Sequence, residues 1–341
     1  MREIGSEFWD VPVSGQKNEV FPASARWFLS GRCALRSVIN ELKDCHTVAM
    51  PSWCCDSMIK PFADSGMEVR FYPVYWQNGL VQEPREDCDV LFRIDYFGYS
   101  ASQKDPDGYA GVVIRDITHS LFTERYADSD YYFGSLRKWC GLWTGGYAWT
   151  ADGHPLLCES RDEGNAYAAL RCRAMEQKSA YINGSAEDGA RTDADKSYLH
   201  LFQEAEDMLD ETDCTAPAAE RDVQLAMKLD AEYIATRRRR NAGVLMSAFR
   251  DWLVFPEMKE EDCPLFVPVL VPDGKRDELR RYLINHGIYC PVHWPVSGYH
   301  RIDERTGFLY RNELSLVCDQ RYTVEDMNRI VETVSAFREE G

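Results

Sequence analysis

No stretch of this sequence approaches the roughly 20 consecutive apolar residues that a membrane span requires. The opening residues, MREIGSEFWDVPVSGQ, hold no apolar core of signal-peptide length. A membrane-spanning or exported protein is therefore not expected, and the cytoplasm is the simplest compartment. Positive charge is also in deficit, with 39 Lys and Arg against 56 Asp and Glu and a formal net charge of −17. Such a chain repels a phosphate backbone, which argues against nucleic acid as its main partner. CxxC pairs and Cys/His clusters are missing, so no metal site is expected. The 12 cysteines are dispersed, and only Cys54 and Cys55 are neighbours, a pair too close in sequence to bridge easily. They are expected as reduced core residues. No internal repeat is evident.

What is present suits a two-domain enzyme: 341 residues, 45% hydrophobic and 28% charged, enough for one large core and a smaller one. From residue 31 short apolar runs alternate with helix-like stretches, the pattern of a mainly parallel α/β sheet with crossover helices. CALRSVINEL repeats its apolar residues at helical spacing, HTVAMPS reads as a strand, SMIKPFADSG as a helix closed by Gly66, and EVRFYPV, DVLFRIDYFG and GVVIRD as strands. Residues 184–196 are polar and glycine-containing and read as a loop that could serve as a lid, ahead of helical patterns at 197–212 and 219–250. The tail reads as LFVPVLV strand, GKRDELRRYLINHG helix stopped by Gly287, IYCPVHW strand and a closing helix, VEDMNRIVETVSAF. The division expected is a large domain over 1–235 and a small C-terminal α/β domain over 236–341. Four consecutive arginines, Arg237–Arg240, would be spread around a helix axis, so a solvated or salt-bridged face is favoured over an anion site.

The chemistry-bearing segment is VIRDITHSLFTERYADSDYYFGSLRKWCGLWTGGYAW. Asp116 ends a buried strand and His119 follows three residues later; strand ends are where α/β sheets bind ligands. An acid there could hold a pyridine nitrogen protonated while an imidazole contacts a ring substituent. Alone the pair is weak, since such acids often cap loops and a lone histidine is often a packing residue. Downstream, Gly134-Ser135-Leu136-Arg137-Lys138-Trp139 sets a hydroxyl near a lysine, 22 positions after Asp116, between aromatic and glycine-rich flanks. That arrangement fits a lysine that binds a cofactor aldehyde and shuttles a proton, though Arg-Lys pairs are common on surfaces.

Together D-x-x-H, S-L-R-K-W and the following G-G resemble the DegT/DnrJ/EryC1/StrS aminotransferases. The resemblance implies fold type I of the pyridoxal-phosphate (PLP) enzymes, with a mainly parallel seven-stranded sheet in the large domain. It implies Lys138 as the Schiff-base lysine, Asp116 at the pyridine nitrogen, His119 at the neighbouring ring oxygen and Ser135 at the phosphate. Ser30-Gly31-Arg32-Cys33-Ala34-Leu35 is similar to the family's turn beneath the phosphate, and helix N-termini favour anions. Arg32 and Cys33 stand where Thr and Ala are usual, so their backbone contacts carry over more safely than their side chains. Cys55 occupies the usual place of the ring-stacking residue, with Trp53 a possible substitute on the same strand face. His293 and Trp294 are expected to face the substrate cleft, or else to be a strand packed under the small domain.

By that resemblance the chain would be a homodimer, with Arg238–Asn241 as a stretch that could reach the partner. It would pass an amino group from an amino acid, glutamate first, through pyridoxamine phosphate to a keto or aldehyde acceptor such as a nucleotide-linked keto-sugar. A PLP-binding regulatory protein without turnover and another PLP reaction such as elimination are the alternatives. Lys138 argues against the dehydratase branch, which has histidine at that position.

Overall fold

Short apolar runs become strands here because helices cover both sides of them. In the computed structural model, which describes residues 3–102, 109–124, 127–159, 163–183, 196–211 and 214–340, the order is β1 (Ile4–Gly5), β2 (Arg26–Phe28), α1 (Gly31–Ile39), β3 (Thr47–Pro51), α2 (Asp56–Asp64) and β4 (Glu68–Tyr72). A hairpin of β5 (Val74–Trp76) and β6 (Leu80–Gln82) precedes β7 (Val90–Ile94), β8 (Val112–Asp116), β9 (Tyr131–Ser135) and β10 (Gly146–Thr150). The central sheet has seven strands in the order β2-β10-β9-β8-β7-β3-β4. Strands β9, β8, β7, β3 and β4 are parallel, and β10 runs against both of its neighbours. Strand β7 is buried throughout, Arg93 included, as expected of a strand covered on both faces.

The second half carries α3 (Glu163–Asn183), α4 (Tyr198–Glu211), α5 (Glu220–Ala226), α6 (Ala231–Ala248), β11 (Phe266–Leu270), α7 (Arg276–Asn285), β12 (Ile288–Tyr289), α8 (Glu304–Asn312), β13 (Glu313–Val317) and α9 (Val324–Glu340). Strands β11 and β13 pair antiparallel, while β12 pairs in parallel with β1, joining Ile4 to Ile288. The N-terminal residues therefore belong to the C-terminal end of the molecule. The expected division at 235/236 falls inside α6.

Gly66 and Gly287 follow α2 and α7 with φ of +84° and +71°, the left-handed conformation that ends a helix. IYCPVHW pairs only over Ile288–Tyr289, because its partner β1 is two residues long; His293 and Trp294 lie in irregular chain beyond it. Helix α3 carries no clear apolar stripe in sequence because its buried face includes Arg171 and Lys178 beside Tyr167, Ala174 and Met175. Of the polar segment 184–196, only Lys196 is among the described residues. Among those residues no helix is long and apolar enough to cross a membrane, and no group of three or more His, Cys, Asp or Glu is placed to hold a metal ion.

Candidate active site at the strand ends

Strand β8 delivers two charged residues to opposite faces. Arg115 pairs with Asp95 at 2.8 Å, both fully buried. Asp116, 2% exposed, accepts the Thr118 N–H at 2.8 Å. Burial pushes the Asp116 carboxyl up to about 6 and Asp95 adds to the rise, against the Thr118 hydrogen bonds and the Lys138 charge. His119 is buried and neutral, pushed down to about 3 by burial and then by Lys138. Its Nδ1 has no hydrogen-bond partner among the described residues. Its ring lies flat against Trp294 (centroids 5.7 Å, 20°) and edge-on to His293 (5.5 Å, 82°).

From β9 the chain enters a single turn, Leu136–Lys138. Buried Trp139 donates from Nε1 to the Thr118 carbonyl at 2.7 Å, which ties the lysine turn to the Asp116–His119 loop. Lys138 itself is exposed, and no hydrogen bond or ion pair holds its Nζ among the described residues. Its charge nonetheless depresses the pKa values of Asp116, His119, His293, Cys55, Glu7 and Glu206, so these groups surround it. Helix α1 starts at the same place. Gly146 pairs with both Ser135 and Phe28, and a Cβ on it would stand 2.0 Å from the Ser30 carbonyl oxygen. Only glycine lets the α1 N-terminus settle there, with Gly31 against Ser135 (3.3 Å for an added Cβ).

The side chains expected around a phosphate and a ring are engaged elsewhere. Arg32 turns to α4, bonding Asp210 and lying 3.8 Å from Glu206. The Cys33 N–H is taken by the Ser30 hydroxyl at 3.2 Å, which caps α1, and its buried thiol lies 3.9 Å from Cys214 Sγ. Cys55 precedes α2 and accepts the Ser57 hydroxyl at 3.1 Å. Trp53 is fully buried, stacked on Tyr96 at 5.1 Å, and donates to the His293 carbonyl at 2.7 Å, so it supports the site from beneath.

Beside Lys138 opens a cavity of about 360 Å³, shared by the lysine turn, the N-terminal segment and the C-terminal region. Five cations line it, Arg137, Lys138, Arg238, Arg280 and Arg321, against the carboxylates of Glu7 and Asp319. An excess of three positive charges thus sits in a chain whose net charge is −17. Sequence reasoning missed most of this wall. Arg238 is not on a solvated face: it is fully buried, 4.5 Å over the Trp139 ring, donating to Gln320 Oε1 and the Leu265 carbonyl at 2.8 Å each. Its Nη2 has no partner among the described residues. Arg321 holds the Ser6 and Glu7 carbonyls at 3.1 and 3.0 Å. Against the cost of burial, Arg171, Arg137, Lys138 and Lys178 draw Glu7 down to about 2. Lys178, buried on α3 near the cavity, is pushed down to about 7 by burial and then by Arg321.

Neither a protein-family model nor a curated protein sequence matches the chain. Solved structures do. PseC of Helicobacter pylori, an aminotransferase involved in the biosynthesis of pseudoaminic acid, is 15% identical with a TM-score of 0.61 over 98% of this chain and 100% of its own. The chain shares its fold. The putative sugar aminotransferase Spr1654 of Streptococcus pneumoniae in its PMP form is 15% identical, TM-score 0.61, over 97% and 94% of the two chains. A DegT DnrJ EryC1 StrS aminotransferase from Brucella abortus is 15% identical, TM-score 0.59, over 92% and 85%.

Proposed function

We propose that this chain is a PLP-dependent aminotransferase in which Lys138 carries the cofactor. In this reading Asp116 faces the pyridine nitrogen and His119 a neighbouring ring substituent. Ser135 and the Arg32 backbone N–H at the start of α1 receive the phosphate, the Cys33 N–H being taken by the Ser30 hydroxyl. The observation that carries the reading is Lys138: an unpaired ammonium, tied through Trp139 to the Asp116–His119 loop, at the strand ends of an aminotransferase fold. Buried His119, with its orphaned Nδ1, fits a ring substituent able to donate to it.

The bound cofactor would supply an electron sink and a carrier for the amino group. Lys138 Nζ would hold it and then move a proton to and from the substrate Cα. Asp116, raised by burial, would ionise beside a cationic ring nitrogen and keep that nitrogen protonated. The cationic cavity suits the carboxylates of an amino-acid donor, with glutamate the first candidate. His293 lines that cavity and Trp294 lies over His119, so both would face substrate. A keto or aldehyde acceptor follows from the chemistry, and a nucleotide-linked keto-sugar is the first class to try, after the sugar aminotransferases of the same fold. A homodimer in the cytoplasm completes the reading, with a large domain and a small C-terminal one that the N-terminal strand β1 joins through β12.

Absorbance spectra of the protein with PLP, wild type against Lys138→Ala, test it. A visible band lost in the variant and converted by glutamate supports an aminotransferase. A lysine-dependent band that no amino acid alters would instead indicate a regulatory PLP-binding protein, and no band at all would end the proposal.

A further inference from the structure

Strand β13 brings an acid and a hydroxyl to one face, since Glu313 and Ser315 are two residues apart and side chains alternate along a strand. Both are fully buried. Ser315 Oγ lies 2.5 Å from Glu313 Oε1 and 2.8 Å from His293 Nδ1, and the His293 backbone N–H donates to Glu313 Oε2 at 2.8 Å. Carboxyl, hydroxyl and imidazole thus form one buried line. Its outer end is the His293 ring, which lines the Lys138 cavity, and no hydrogen bond holds His293 Nε2 among the described residues. The Trp53 indole fixes the histidine backbone from the other side, through the His293 carbonyl at 2.7 Å.

We propose that Glu313 and Ser315 are positioning residues that set which ring nitrogen of His293 carries the proton, and so whether His293 offers the Lys138 cavity an N–H donor or a lone pair. The proton count fixes the two states. With Glu313 protonated, its O–H donates to Ser315 Oγ, the serine donates to His293 Nδ1, and the ring proton sits on Nε2 facing the cavity. When the set loses one proton, that proton leaves from Nε2; the serine then donates to the Glu313 carboxylate, Nδ1–H donates to the serine, and Nε2 is bare. No oxidant or further reactant is involved, and the ring stays neutral in both states.

Burial pushes Glu313 up to about 8, against its hydrogen bonds to Ser315 and His293 and the charge of Arg276. Burial, then His119 and Lys138, hold His293 well below its ordinary value, so the ring does not become an imidazolium near neutrality. The titratable and charged groups facing the line are Arg276 on α7, which donates to the Glu313 carbonyl at 3.0 Å, Cys290 after β12, and His119 and Lys138 across the cavity. Arg280, also lining the cavity, is engaged with the Cys290 carbonyl at 3.3 Å. Below about pH 8 the donor form prevails, and above it the acceptor form. The consequence for amine transfer rests on the function proposed above: the donor form holds a substrate oxygen beside Lys138, the acceptor form does not.

The tautomer itself can be read without cofactor or substrate. Histidine-labelled protein, with its 7 His, gives ring nitrogen shifts by NMR, and a His293→Gln spectrum assigns the residue. The wild type is expected to move from Nε2–H to Nδ1–H as pH crosses about 8. Glu313→Gln, whose amide donates to Ser315 as the protonated acid does, is expected to stay Nε2–H throughout. Ser315→Ala, which removes only the hydroxyl and serves if the glutamine variant does not fold, is expected to abolish the pH-dependent change. A wild-type tautomer that ignores pH over this range, or a variant that titrates like wild type, would overturn the assignment. In PLP-loaded protein, kcat/KM for the amino donor should lose its inflection near pH 8 in Glu313→Gln while the visible band persists. Absence of that band in wild type would count against the proposed function and leave the tautomer result standing.

Discussion

Two walls meet at Lys138, and they are built in opposite ways. The floor at the ends of β8 and β9 comes from a single continuous stretch, Asp116 to Lys138, held together by Trp139. The facing wall gathers Glu7, Arg238, His293, Glu313 and Arg321, residues from the two ends of the chain, because β1 pairs with β12. The floor holds groups whose charges are set by burial, and the wall holds an excess of cations. Under the proposed function, a site so divided would keep cofactor chemistry fixed in one local motif and tune substrate recognition separately. The difference also predicts how each wall breaks.

The largest effect belongs to the floor. Lys138→Ala is expected to lower amine transfer by at least about 1,000-fold, as loss of a covalent proton shuttle would, while the melting temperature is retained; assay and thermal melt together check it. Behind the floor, Arg115→Ala removes the guanidinium that neutralises buried Asp95, so the variant should lose about 3–5 kcal/mol in denaturant titration.

The wall responds to pH. Folded Glu313 keeps its proton up to about 8 whereas an unfolded glutamate releases it near 4.5, so the native state binds more protons in that window and stability falls as pH rises through it. Glu313→Gln should remove that decline, a gain of roughly 3–4 kcal/mol at pH 8 relative to pH 5. Arg238→Lys keeps a charge but loses the unpartnered Nη2; donor KM should rise roughly 10-fold with kcat little changed, separating the wall from the floor. Smallest of all, Arg305→Ala breaks the exposed Arg305–Glu83 pair at 3.2 Å and should leave melting temperature and kinetics at their wild-type values, which makes it the control for nonspecific loss.

This division explains what could be read in the sequence. The sheet was legible because buried parallel strands are short apolar runs, and the floor because Asp116, His119, Ser135 and Lys138 lie within 23 positions. The wall was not, because its members come together only through the pairing of Ile4 with Ile288 and the packing of α6. Arg238 illustrates the limit: charge spacing on a helix cannot tell which arginine is stacked under an indole. One signal was available. An acid and a serine alternating within E-L-S-L-V, an otherwise apolar strand pattern, put both on one buried face, where polar groups need partners. Helix α3 escaped notice for a related reason, its buried stripe being partly Arg171 and Lys178.

Lys178 also supplies the sharpest rival to the central claim, since it is a buried amine pushed down to about 7 beside the same cavity. The deciding measurement is borohydride treatment of PLP-loaded protein, which makes a lysine–cofactor bond permanent, followed by peptide mass mapping. A pyridoxyl adduct on Lys138 alone is the predicted result. An adduct on Lys178 instead, or none on any lysine while PLP remains bound, would contradict the account.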